Sequence, residues 1–238
     1  MTATITEDFG DWMNPMLVKE FRQGLSSRAF VTSFLFLQTL MVCSMVLILI
    51  TYAGTARTSE TTAIFWVING MVFLIAMPAR GLVALSSEMN GNMIELLYFT
   101  RLTPEWIVMG KWLAIVAQTS LAACSVLPYT VLRYFVGGIN MVDEIQGLFL
   151  LVMISAVVTG TTVAGSAFRS PVLRLVGLAF SIFVLFVGLA IFFGVTDEQH
   201  FPGALIFVTV LGTFVLLVMF VITLVRIGPP TPPPVYEY

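Results

Sequence analysis

FVTSFLFLQTLMVCSMVLILITYA, residues 30–53, runs without one charged side chain. As an α-helix it rises about 36 Å, more than the hydrocarbon core of about 30 Å that a transmembrane helix must cross. Five further runs share this character, at 63–85, 112–132, 145–168, 175–195 and 203–225, and the helix of the third starts as early as Pro104. The whole chain agrees with them. Its 238 residues are 58% hydrophobic and 10% charged, with a mean hydropathy of +0.99, too little polar surface to cover a soluble globule. No run alternates as the strands of a membrane barrel do. The expected fold is an all-α integral membrane protein with six transmembrane helices, a multi-pass protein with membrane lipid around it and no nucleic acid as partner.

Orientation follows from the basic residues. In a six-span arrangement Lys19, Arg22, Arg28, Arg80, Arg101, Lys111, Arg169, Arg174 and Arg226 fall on or near one side, against Arg57 and Arg133 on the other. The excess of Lys and Arg marks the cytoplasmic side, so both termini and the polar interruption between the second and third spans are expected there. The opposite loops, 54–62, 135–144 and 196–202, are too short for an external domain.

Three regions result: a cytoplasmic segment 1–29, a transmembrane domain 30–226 with a cytoplasmic loop at 86–103, and a tail 227–238. Glu7, Asp8 and Asp11 stand where a cleavable signal peptide would be basic. Asn14 as cap and Pro15 at the first helical position predict a helix start. Leu17, Phe21 and Leu25 recur on one face beside Val18, while Lys19, Glu20, Arg22 and Gln23 are expected to face the other way. This is the pattern of an amphipathic interfacial helix, either a simple anchor or an assembly element. The tail is proline-rich and expected to be extended, and its Pro233-Pro234-Val235-Tyr236 also matches a WW-domain ligand.

Inside the spans, Ala156, Gly160 and Ala164 form a small-residue ladder on the fourth helix, and Gly177 and Ser181 continue it on the fifth. Arg80 would cost about 2.5–3.5 kcal/mol at mid-membrane, so it is expected to snorkel to the cytoplasmic surface. Pro78 and Pro128 are expected to kink the second and third spans. Cys43 and Cys124 lie in apolar runs and read as small hydrophobes.

Catalytic motifs are missing. His200 with Asp197 and Glu198 supplies three groups where a tetrahedral metal site takes four ligands, and a solvated polar turn describes them better. No HExxH, CxxC or GxSxG occurs, and Gly110-Lys111 lacks the glycine-rich loop of a phosphate-binding motif. Every acidic residue is placed in the N-terminal region, a loop or the tail, which disfavours a proton- or sodium-driven carrier. The chain is not expected to be an enzyme, and if it transports, a separate subunit must supply the energy.

The polar interruption then becomes specific. Residues 87–111, SEMNGNMIELLYFTRLTPEWIVMGK, resemble without a gap the signature that follows the second span of ABC-2-type permeases, the membrane subunits of ABC exporters, roughly SEREXGTLELLLLTPLSPXXIVXGK. Asn14-Pro15 through Lys19, Glu20 and Arg22 likewise resembles the NPXXXKEXR opening of such permeases. Asn92 and Met93 stand at the usual Gly-Thr, and Arg101 at the usual proline; Asn tolerates a left-handed backbone, so a bend at 92 is compatible with the sequence.

What this resemblance implies is a permease subunit in the cytoplasmic (inner) membrane, paired with a second copy or a related permease, above a cytosolic ABC ATPase that binds the ATP. The chain itself would bind no cofactor. The loop would form a coupling helix docking into the ATPase through Glu88, Asn92, Met93, Glu95, Leu97 and Tyr98. The translocation path would run along the first, second and fifth spans, with Gln38, Asn69 and Phe73 as candidate lining chosen by polarity and aromatic character. The other reading is a non-transporting membrane scaffold or assembly protein.

Overall fold

The computed structural model describes residues 15–53, 58–85, 104–136, 139–168, 170–194 and 201–227. Among them every regular element is helical: α1 (Pro15–Leu25), α2 (Arg28–Ala53), α3 (Thr58–Gly70), α4 (Pro104–Val136), α5 (Met141–Ser166), α6 (Pro171–Gly194) and α7 (Phe201–Ile227). Five stretches are long and apolar enough to cross a membrane: Arg28–Ile50, Thr62–Val83, Glu105–Val136, Met141–Ser166 and Ile206–Val225. In α6 the apolar stretch is the shorter Leu175–Gly188. The chain is an all-α, multi-pass membrane protein. The helix starts follow their local chemistry, α1 and α4 opening on proline and α5 on Asn140, whose side chain accepts the Val142 N–H at 3.2 Å. That cap starts α5 four residues ahead of the apolar run.

The helix α5 is the hub. Of the residues in its apolar stretch 61% are buried within the chain, against 17% for α7, and the helix packs on residues 71–83 of the second span and on α4, α6 and α7. Small residues allow this. A Cβ on Gly160 would lie 2.0 Å from Leu216 of α7, and one on Gly147 would lie 2.6 Å from the Trp66 ring of α3. Gly177 of α6 meets Gly165 of α5 backbone to backbone. Thus the ladder on the fourth span continues to the fifth through Gly165, while Gly160 serves α7. The main core, containing Leu37, Met41, Phe65, Phe73, Leu151 and Ile154, fills the space between α2, α3, α4 and α5.

The second span is irregular beyond the kink expected at Pro78. From α3 the backbone passes through a π-helical turn (Met71–Ala76), a short α turn (Met77–Ala79) and a 3₁₀ turn (Arg80–Val83). Such turns misalign the regular ladder, and a proline removes one donor from it, so carbonyls in the hydrocarbon region need other partners. Helix α5 supplies them. Ser155 Oγ donates to Phe73 O at 2.5 Å, Thr162 Oγ1 to Pro78 O at 2.9 Å, and the Leu85 N–H donates to Ser166 Oγ at 3.1 Å. Replacing Ser155 by alanine is expected to destabilise the protein by about 0.5–2 kcal/mol, the range for a hydrogen bond between membrane helices. Thermal unfolding in detergent measures it, with Ser120→Ala as the control, since that hydroxyl bonds only to its own helix at Val116 O. Around Pro128, by contrast, α4 continues as one helix from Pro104 to Val136.

Candidate functional site

Helix α1 sets the geometry at one end of the bundle. It packs along the first turns of α4, with Leu17, Phe21 and Leu25 half-buried and Lys19, Arg22 and Gln23 exposed, as the amphipathic pattern requires. Glu20 departs from that pattern. It turns inward and accepts a hydrogen bond from Lys111 Nζ at 3.2 Å, an ion pair in which the lysine side chain is 7% exposed. A nearly buried ammonium left unpaired is strongly destabilising, and the Glu20 carboxylate offsets part of the cost of taking that charge out of water. One turn on, Gly24 gives α1 room to approach α4: a Cβ there would lie 2.0 Å from Gln118 Nε2.

Arg80 enters the same corner. It is half-buried, and its guanidinium donates to the buried Gln118 Oε1 and, at 3.4 Å, to Ser27 Oγ, and stands 5.4 Å from the Phe30 ring centroid. These contacts tie the 3₁₀ turn to α4, to the start of α2 and to the α1–α2 connection at one level.

At the other end of α4, about 33 Å from Lys111 at 1.5 Å per residue, stands a second ionic centre. Arg133 Nη1 donates to Glu144 Oε2 at 2.7 Å, with side chains 3% and 6% exposed. Arg133 also donates to Thr62 Oγ1 at 2.9 Å and lies 4.1 Å from the Phe65 ring centroid, and the Trp66 indole hydrogen-bonds the Glu144 carboxylate. Three helices meet there. This corrects the placement of acidic residues outside the spans: Glu144 belongs to the first turn of α5, where the helix dipole favours a carboxylate, and it is buried.

Of the candidate path residues Gln38 is half-buried and Asn69 and Phe73 are in the interior. Gln38 bridges α2 and α4, donating to Ser125 Oγ at 2.6 Å and accepting from Tyr129 Oη at 2.8 Å. Asn69 and Phe73 are fully buried inside this one chain. Asn69 Nδ2 donates to Phe65 O at 2.9 Å, its Oδ1 has no partner, and the residue lies just before the π turn. The coupling candidates Glu88, Asn92, Met93, Glu95, Leu97 and Tyr98 lie outside the described residues, as do Asp197, Glu198 and His200 and the tail from Gly228 onward. Among the described residues, no group of three or more His, Cys, Asp or Glu side chains is placed to hold a metal.

Sequence reasoning missed both ionic centres. A signal for one existed: Arg133 and Glu144 stand eleven residues apart, at the facing ends of two consecutive helices, α4 and α5. Compared with protein-family models, curated proteins and solved structures, the chain matches none of them.

Proposed function

We propose that this chain is the permease subunit of an ABC-type exporter in the cytoplasmic membrane, six spans with both termini inside, paired with a second permease and driven by a separate cytosolic ATPase. The observation that carries this reading is the Glu20–Lys111 pair. The two sequence patches that resemble ABC-2-type permeases, 14–22 and 87–111, are far apart in the chain, yet a residue of one is ion-paired to a residue of the other at the base of α4. The described parts of the two patches, α1 and the first turns of α4, are therefore held together, and a cytosolic motor pressing on that end of the bundle would act on both.

In this mechanism ATP binding and hydrolysis in the partner move the loop 86–103. The loop leads directly into α4, and α1 stiffens its base through Glu20, Gly24 and Gln118. Helix α4 carries the displacement across the membrane to Arg133, where α3 and α5 are tied in. The irregular segment that follows α3, held by α5 hydroxyls instead of a regular ladder, is the element that yields. The path would open toward α2, α3 and α6, with Gln38, Asn69 and Phe73 exposed to it only as those helices part.

Substituting Leu97 by lysine or Glu95 by arginine inverts the character of the coupling face. The expected result is loss of the co-purifying ATPase and of its ATP hydrolysis, with the permease still folded. Undiminished binding and coupling in both variants would contradict the proposal.

A further inference from the structure

A cavity of about 260 Å³ lies between α4, α5 and α7, with Val108 and Trp112, Val163, and Leu216, Leu217 and Phe220 among its walls. Its chemistry is restrictive. The polar side chains on the wall are already engaged: Trp112 Nε1 donates to Ala156 O at 2.9 Å, Thr213 Oγ1 to Thr209 O at 2.6 Å, and Thr223 Oγ1 to Met219 O at 2.7 Å. These groups show the cavity their carbon atoms, and a ligand bringing a polar group would bury it without a hydrogen bond, at substantial cost.

Position narrows the occupant further. From Thr213 to Thr223 the wall runs about 15 Å along α7, half of the hydrocarbon thickness of about 30 Å and so the depth of one leaflet. Val108 and Trp112 flank Lys111, which places the cavity at the Lys111 end of the bundle. Apolar surface borders it: α7 packs on α5 and α4 with one side and exposes Val210, Phe214 and Val221 on the other. The glycine at 160 sets the spacing, since its missing side chain admits Leu216 of α7.

We propose that this cavity is a lipid site holding one acyl chain of a membrane phospholipid from the leaflet on the Lys111 side, as a seal between α7 and the α4–α5 pair. It does not depend on the permease reading. A phospholipid fills such a space at no cost in polar burial, and it is present at high concentration wherever the protein resides.

Phosphatidylcholine carrying a photoactivatable diazirine at mid-chain provides the test. The full-length protein is reconstituted with this probe, irradiated, and the adducts are mapped by mass spectrometry. Several-fold greater labelling is expected at 108–112 and 213–223 than at Phe183 and Phe186, which are exposed on α6. Ala164→Phe, filling the cavity from α5, is expected to reduce the cavity adducts and leave the α6 adducts unchanged. Leu217→Trp, at a position 58% exposed and tolerant of bulk, narrows the space from α7 and is expected to do the same. Equal labelling of the cavity and α6 that neither variant changes would mean ordinary surrounding lipid and would overturn the assignment. So would cavity labelling displaced by an apolar small molecule but not by unlabelled phosphatidylcholine.

Discussion

Replacing Arg133 by methionine is expected to destabilise the protein by about 3–5 kcal/mol, because it leaves the buried Glu144 carboxylate without its cation. The lost contacts with Thr62 and the Phe65 ring add to this. The double variant Arg133→Met with Glu144→Leu removes both charges together, and is expected to recover most of the loss, since replacing a buried ion pair by a well-packed apolar pair is often neutral or stabilising. Thermal unfolding of the single and double variants in detergent separates the two effects. If Arg133→Met alone unfolds at the wild-type temperature, the three-helix ionic centre is not what holds that end of the bundle.

A second large effect is expected at the α5–α6 crossing. Gly177→Leu places a branched side chain where even a Cβ would lie 3.0 Å from Gly165 Cα, a backbone atom that cannot move independently of its helix. The helices must separate, at a cost of about 1–3 kcal/mol for overpacking and more if α6 detaches. Gly165→Ala is the informative contrast. A Cβ at 165 would meet Gly177 at 3.6 Å, ordinary van der Waals contact, so that variant is expected to unfold within a few degrees of the wild type. The asymmetry tests the crossing geometry itself: if Gly165→Ala proves as damaging as Gly177→Leu, the backbones do not meet in this register.

The parts of the fold that were legible in the sequence are those that hydropathy and terminal residues decide. The uncharged run 30–53 lies within Arg28–Ala53, Pro104 does start a helix, and the apolar face of α1 is the face that packs. Pairings between helices were not legible in the same way. Glu20 sits among polar neighbours on its helix, and only the arrival of Lys111 from a distant segment turns it inward. The partners of the half-buried Arg80 were not legible either, because the hydroxyl, amide and ring that hold it come from Ser27, Gln118 and Phe30, all distant in sequence. The π and 3₁₀ turns of the second span have Pro78 as their one local mark, and the Ser155, Thr162 and Ser166 groups that make them tolerable lie on another helix.

For the site, sequence supplied candidates by polarity, and packing decided what each one does. Gln38 became a bridge between two helices, whereas Asn69 and Phe73 entered the core beside the irregular segment. The unpartnered Asn69 Oδ1 is a cost normally avoided in a buried environment, which makes this the least satisfied point of the second span.

Site-specific photo-crosslinking tests the functional account most directly. A benzophenone side chain at Leu97, introduced into the full-length protein in its native membrane, is irradiated with and without ATP and its adduct is identified. The account predicts a crosslink to an ATP-hydrolysing protein, with a yield that changes between the nucleotide-free and ATP-bound conditions, and no such crosslink from the same group at Phe183. An ATPase-free adduct at Leu97, or none, from a chain that still transports would contradict it.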